Sequence, residues 1–292
     1  MTIYRRPPLQ IAVPEEGASF AAPHANAISG LNPVPVKDYD WVGAAVSWDG
    51  VSDYGALTGG VHADWRVVAW DDTPNNEKSA PKPTNVTFVA DAECSGGVFL
   101  RATTRREVWK GQQFSGVQME CVSSAFDTFG GGADFFVECR LRWIGYEGCW
   151  PGPWMIQYPG APYETEIDIM ETPNTRQPYT SLHPYGWSVV GGSQHHVGYS
   201  YAATNDFGWH RYGLRVSATS VQRFYDNVPG LTMSNATYAA EFRNESMFFK
   251  FQHHAGGNWP DDDLGLARGT TPRASVAFPN HFDCDWFRVY AP

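Results

Sequence analysis

The stretch Glu164-Thr165-Glu166-Ile167-Asp168-Ile169-Met170-Glu171-Thr172 decides how the rest of the chain is read. Its centre separates carboxylates with Ile and Met, mostly β-branched apolar residues that favour a pleated strand. Strand parity puts Glu166 and Asp168 on one face and Glu171 on the other. One extra residue at Ile169-Met170, a β-bulge, returns Glu171 to the side of the other two, and bulges are frequent beside active sites. The stretch therefore predicts a bulged strand carrying three acids on one face.

Working outward, Gly148-Cys149-Trp150-Pro151-Gly152-Pro153-Trp154-Met155-Ile156 reads as an aromatic strand just upstream of the acids. Before it, Phe135 to Trp143 alternates cleanly, so Glu138, Arg140 and Arg142 share a face. Earlier still, Val42 to Trp48, Trp65 to Trp70, Asn85 to Ala90 and Val98 to Thr103 are strand-like runs punctuated by Gly, Pro, Asn and Asp. Downstream, Ser181-Leu182-His183-Pro184-Tyr185-Gly186-Trp187 offers polar and aromatic groups. Phe207 to Val216 and Val221 to Asn227 read as a hairpin. Phe248 to His254 leads into Gly256-Gly257-Asn258-Trp259-Pro260, and Asp285 to Tyr290 closes the chain. No helix-period pattern of ten or more residues competes, and no internal repeat is present.

This spacing predicts an all-β sandwich, and composition agrees: 15% aromatic, with Gly 29 and Pro 21 supplying turns. A length of 292 residues is compatible with one large β domain. Residues 1–40 form a Pro- and Ala-rich arm, and residues 41–292 are expected to be a single domain. The arm is expected either to wrap its own sandwich or to bind a sister subunit or larger assembly. A net charge of −10 and a pI near 5.3 argue against nucleic acid and anionic membrane surfaces, and in favour of a neutral polymer. No apolar run is long enough to predict membrane insertion. The N-terminus has two arginines, Arg5 and Arg6, with no apolar segment behind them, so no secretory signal is expected and the export route is open. Cys94, Cys121, Cys139, Cys149 and Cys284 lack a CxxC pair and read as free buried thiols, with Cys139 and Cys149 the first pair to check.

These elements together resemble glycoside hydrolase family 16, the laminarinase, agarase and carrageenase group. Glu166-Ile-Asp168-Ile-Met-Glu171 resembles its bulged motif. Phe136-Val-Glu-Cys-Arg-Leu-Arg resembles the strand bearing a Glu-x-Arg pair, and Trp150-Pro-Gly-Pro-Trp154 its Trp-Pro-x-x-Trp element. Trp209-His-Arg-Tyr, Gly256-Gly-Asn-Trp-Pro260 and Asp285-Trp-Phe-Arg-Val-Tyr290 are similar to later elements, in the same order. The likeness covers roughly residues 85 to 292. Trp-Pro-Gly-Pro-Trp and an apparent insertion from Gln157 to Tyr163 depart from the usual pattern near the cleft, where substrate identity is set. The resemblance implies a concanavalin-like jelly-roll β-sandwich of two antiparallel sheets with a concave cleft. It also implies an endo-acting retaining hydrolase of a β-1,3-glucan or galactan; the unpaired cysteines, the Pro-rich arm and the lack of a secretory signal add the expectation that it works outside the producing cell or on a particle such as a phage tail.

By the same resemblance Glu166 is the nucleophile, Glu171 the general acid and then base, and Asp168 a partner hydrogen-bonded to a neighbouring carboxylate. Adjacent carboxylates raise one another's pKa, which leaves a proton where an acid is needed. Retention requires carboxyls roughly 5–5.5 Å apart. Trp150, Trp154, Trp187 and Trp259 are candidates to stack on sugar rings, and each is equally readable as core. His183, Gln252 and Asn258 are candidate hydroxyl partners. No catalytic cofactor is expected: His195-His196 and His253-His254 would face opposite ways in strands and lack further ligands. The resemblance makes Asp285 a candidate ligand for a structural calcium. The alternative function is a catalytically silent carbohydrate-binding or structural protein on the same fold.

Overall fold

The computed structural model describes residues 27–70, 75–121, 132–157, 165–174, 178–184, 189–190, 193–194, 197–200, 207–244 and 247–292. Two large antiparallel sheets pack face to face. The site-bearing sheet runs Val197–Ser200, Tyr179–His183, Glu166–Glu171, Cys149–Gln157, Met247–Ala255, Phe114–Cys121, Trp65–Val68, Tyr54–Thr58 and Ala45–Ser47, with Ser79–Pro81 added in parallel to Phe114–Cys121. The opposite sheet runs Val228–Met233, Val221–Tyr225, His210–Val216, Phe135–Trp143, Asn280–Tyr290, Val98–Thr104 and Val86–Ala90. Sequence neighbours often lie in different sheets, as expected of a jelly roll.

Alternation along each strand sends apolar residues into the interface between the sheets. From the site-bearing sheet come Met155, Ile167, Ile169, Met170, Phe249 and Phe251, and from the other Val137, Leu141, Leu214, Phe282, Phe287 and Val289. Phe251 stacks on Phe282 with centroids 4.6 Å apart, and Phe249 meets Phe287 edge-on at 4.2 Å. Such aromatic pairs add about 0.5–1.5 kcal/mol each beyond the area they bury. They fix the strand that follows the aromatic one, and with it the floor of the cleft.

The last third of the expected N-terminal arm is part of the sandwich. Lys37–Tyr39 pairs with Val289 to Phe287 of the closing strand, and Ala27 and Leu31 are buried against Phe136, Phe224 and Tyr290. A three-residue strand among prolines is too short to show a period. Residues 1–26 lie outside the described residues, and with them the expected contact to a further subunit.

The reading of the cysteines as free buried thiols holds. All five cysteines are free and buried, and Cys139 and Cys149 lie in different sheets. Asp285 is fully buried, Arg140 Nη1 donates to its Oδ2, and the Ser95 N–H donates to its Oδ1 at 2.7 Å. A carboxylate held by a buried guanidinium and a backbone amide is already satisfied, and the adjacent positive charge opposes calcium.

Candidate active site

The Glu166–Glu171 strand pairs with Tyr179–His183 as Glu166 to His183, Ile167 to Leu182 and Asp168 to Ser181, and then jumps to Glu171 opposite Tyr179. Three steps on the acid strand thus meet two on its partner, the signature of a single-residue bulge at Ile169-Met170. Both bulge residues are fully buried in the core, and Glu166, Asp168 and Glu171 all line one pocket of about 830 Å³.

Local sequence explains how the acids fit. On the neighbouring strand Trp150, Gly152 and Trp154 share the cleft face, and Trp154 lies opposite Asp168. A Cβ at Gly152 would stand 3.0 Å from the Met170 carbonyl oxygen and 3.2 Å from Glu171 Cγ. Glycine is therefore what lets Glu171 lean over that strand. The Trp150 Nε1–H donates to Glu171 Oε1 at 2.9 Å. Trp150 meets Trp259 edge-on at 5.8 Å, and Trp259 in turn meets Tyr179 at 5.9 Å.

The carboxyls occupy unlike environments. Glu166 keeps 14% of its side-chain exposure and Asp168 only 4%. Burial pushes the Asp168 carboxyl up to about 7, opposed by its hydrogen bond to Glu171. Burial, and then the Asp168 charge, push Glu171 well above the ordinary carboxylate range against the Trp150 hydrogen bond. His183 Nε2 lies 3.2 Å from Asp168 Oδ2 and 3.8 Å from Glu166 Oε1, and burial lowers its pKa to about 4, leaving it neutral. One proton is thereby retained on the Asp168–Glu171 pair at neutral pH, while Glu166 faces the open pocket.

Donor atoms of Glu166, Asp168 and His183 lie within 4.8 Å of one another, the group among the described residues that could hold a metal ion. The sequence reading did not single out that trio. His253 faces inward against Tyr146 and Phe282, and His254 contacts Ser79 Oγ, so the two imidazoles diverge; His195-His196 lies outside the described residues.

Of the proposed sugar contacts, Trp150, Trp154, His183, Gln252, Asn258 and Trp259 all line the pocket, while Trp187 lies outside the described residues. Trp154 is partly covered, because Lys250 Nζ sits 4.8 Å from its ring centroid. Asn258 is engaged structurally, since its Oδ1 accepts from Asn76 Nδ2 at 2.8 Å. Asn258 also begins the short helix Asn258–Asp263, directly after Gly256-Gly257. That lip is pinned by Asn174 Nδ2, which donates to the Pro260 carbonyl at 3.0 Å and to Asp263 Oδ2 at 2.9 Å. Tyr179, Ser181, Asp262 and Arg268 also line the pocket and were not anticipated. Strand pairing opposite Glu171 and Asp168 is the signal that would have found the first two.

No family model and no curated protein sequence matches the chain. Solved structures do. An endo-β-1,3-glucanase from Pyrococcus furiosus is 18% identical with a TM-score of 0.64, covering 90% of this chain and 96% of its own. LamAcat from Zobellia galactanivorans gives the same identity and TM-score over 91% and 100%. The laminarinase catalytic domain from Thermotoga maritima is 22% identical with a TM-score of 0.56, over 75% and 84%. Neighbours of this fold include glycoside hydrolase family 16 enzymes, among them an endo-glucanase from Bacteroides ovatus. The chain thus has the fold of family 16 laminarinases, a jelly-roll sandwich.

Proposed function

We propose that the chain is a retaining endo-β-glycoside hydrolase acting on a polysaccharide of the β-1,3-glucan or galactan type. The observation that carries this reading is the bulge, which sets a partly exposed Glu166 and a buried Glu171 on one side of one strand, in one pocket. Unlike environments for two carboxyls are what separates a nucleophile from an acid.

In the first step the Glu166 carboxylate attacks the anomeric carbon while Glu171 gives its proton to the departing glycosidic oxygen. The C–O bond breaks and a glycosyl ester forms on Glu166. In the second step Glu171, now ionised, takes a proton from water, the water oxygen attacks the same carbon, and the ester bond to Glu166 breaks. Asp168 holds the Glu171 carboxyl through their hydrogen bond, and neutral His183 holds Asp168 without adding charge. The β-1,3-glucan option draws on fold neighbours, one of which was solved with laminaritriose and laminaritetraose.

The test is reducing-sugar release from laminarin, lichenan, agarose and carrageenan by the wild type and by Glu166→Gln. Turnover that is lost in the variant is expected, by about 10³-fold or more given the size of covalent-catalysis effects. Equal release by both proteins would overturn the reading, and a first-formed product of inverted anomeric configuration would overturn retention.

A further inference from the structure

We infer that a second, smaller cavity beside the catalytic pocket seats a one-sugar neutral branch of the polysaccharide, so that the preferred substrate carries side chains. The inference rests on the polysaccharide-cleaving reading above and specifies its substrate.

The cavity has a volume of about 120 Å³ and adjoins the larger pocket, sharing Asn75, Trp154 and Gln252 with it. Its remaining walls are Trp70, Glu77, Gln118, Lys250 and His254. At about 120 Å³ it is smaller than the roughly 150 Å³ that takes a benzene ring, so it admits part of one sugar ring, the rest projecting outward, and not a chain.

Strand register locates it. Asp168 stands opposite Trp154, Trp154 opposite Lys250, and Lys250 opposite Glu120, in a row that crosses the sheet. Lys250 is two strands from the acids, about 10 Å at the usual strand spacing. A sugar seated there is therefore not the one being cleaved. Lys250 Nζ lies over the Trp154 ring and 3.1 Å from Glu120 Oε1. That ammonium interrupts the aromatic floor, so a backbone stacked near the acids lifts away here. Only a group directed down toward the floor then enters the cavity.

The lining selects the occupant. Three side-chain amides, a carboxylate, an ammonium and an imidazole, flanked by two indoles, match the hydroxyls and the apolar faces of a sugar. Charge is balanced: Glu77 faces the same cavity as Lys250, and Glu120 is shared between Lys250 and Arg66, the latter at 2.9 Å. A sulfated or uronic acid branch would find no surplus of positive charge.

The experiment compares linear β-1,3-gluco-oligosaccharides with oligosaccharides of equal backbone length that bear one β-1,6-glucosyl branch. The wild type should favour the branched compound by about 10-fold in kcat/KM. Gln118→Ala and Trp70→Ala should each lose that preference while keeping the rate on the linear compound; Trp70 is exposed, so its removal leaves the core intact. Equal rates in the wild type, or a preference unchanged in both variants, would overturn the inference and leave the hydrolase reading standing. If neither compound is cleaved, the β-1,3-glucan option of the hydrolase reading is what suffers. Calorimetric affinity of Glu166→Gln for the two compounds then decides the branch site, and equal or absent binding overturns it.

Discussion

The indole N–H of Trp150 and the carboxyl of Glu171 are joined across neighbouring strands at 2.9 Å, so the aromatic strand tempers the raised pKa of the acid it faces. A donor to a carboxylate stabilises the ionised form, and here it opposes burial and the nearby Asp168. Trp150→Phe keeps the ring and removes the donor. The Glu171 pKa should rise, moving the basic limb of the kcat/KM profile to higher pH, with kcat down about 10-fold from the lost charged hydrogen bond. A pH–rate profile checks the direction, which loss of sugar stacking alone would not produce.

Gly152→Ala places a methyl group 3.0 Å from the Met170 carbonyl and 3.2 Å from Glu171 Cγ. The expected result is a kcat reduced by about 10-fold or more, since small displacements of a reacting group are costly. The loss of stability should be only about 1–3 kcal/mol, as for other overpacked sites. Steady-state kinetics alongside urea unfolding separates the two effects.

Asp168 has a folded pKa near 7, above its unfolded value, so the folded state binds more protons between about pH 4 and 7. Its contribution to stability is present below the unfolded pKa and is lost as pH rises through the folded one. Asp168→Asn cannot ionise. It should therefore raise Tm relative to wild type more at pH 8 than at pH 4, while lowering activity at both. Thermal melts at the two pH values test the sign.

Arg140→Met leaves the buried Asp285 carboxylate without its guanidinium, although the Ser95 amide remains. Breaking such a pair costs about 3–5 kcal/mol. Millimolar calcium should not restore the loss, and recovery on adding calcium would return Asp285 to the role of metal ligand.

How much of this was legible depended on parity. The acid strand was readable because three charges among apolar residues allow only one bulged solution, and the Trp-Pro-Gly-Pro-Trp strand because its tryptophans alternate. The surroundings of Asp285 were not legible, because the register shifts between Cys284 and Trp286 and the face a residue takes there cannot be counted along the strand. The helix Ala236–Asn244 is nine residues long with two buried positions, too little for a period to emerge. The lip helix follows Gly256 and Gly257, both at positive φ, which read as loop. Asn174 and Tyr179 were invisible because their roles come from partners distant in sequence or across a strand pair.

The bulge also bears on how this strand tolerates changes of length. Deleting Ile169 or Met170 would bring Glu171 to an even spacing from Asp168, which is cleft-facing by simple alternation. The extra residue is thus not the only way to aim the third acid. It spends one more apolar side chain on the core and adds local twist. A shortened strand should then keep its acids in the cleft while losing anchorage beneath them, trading core volume for regularity.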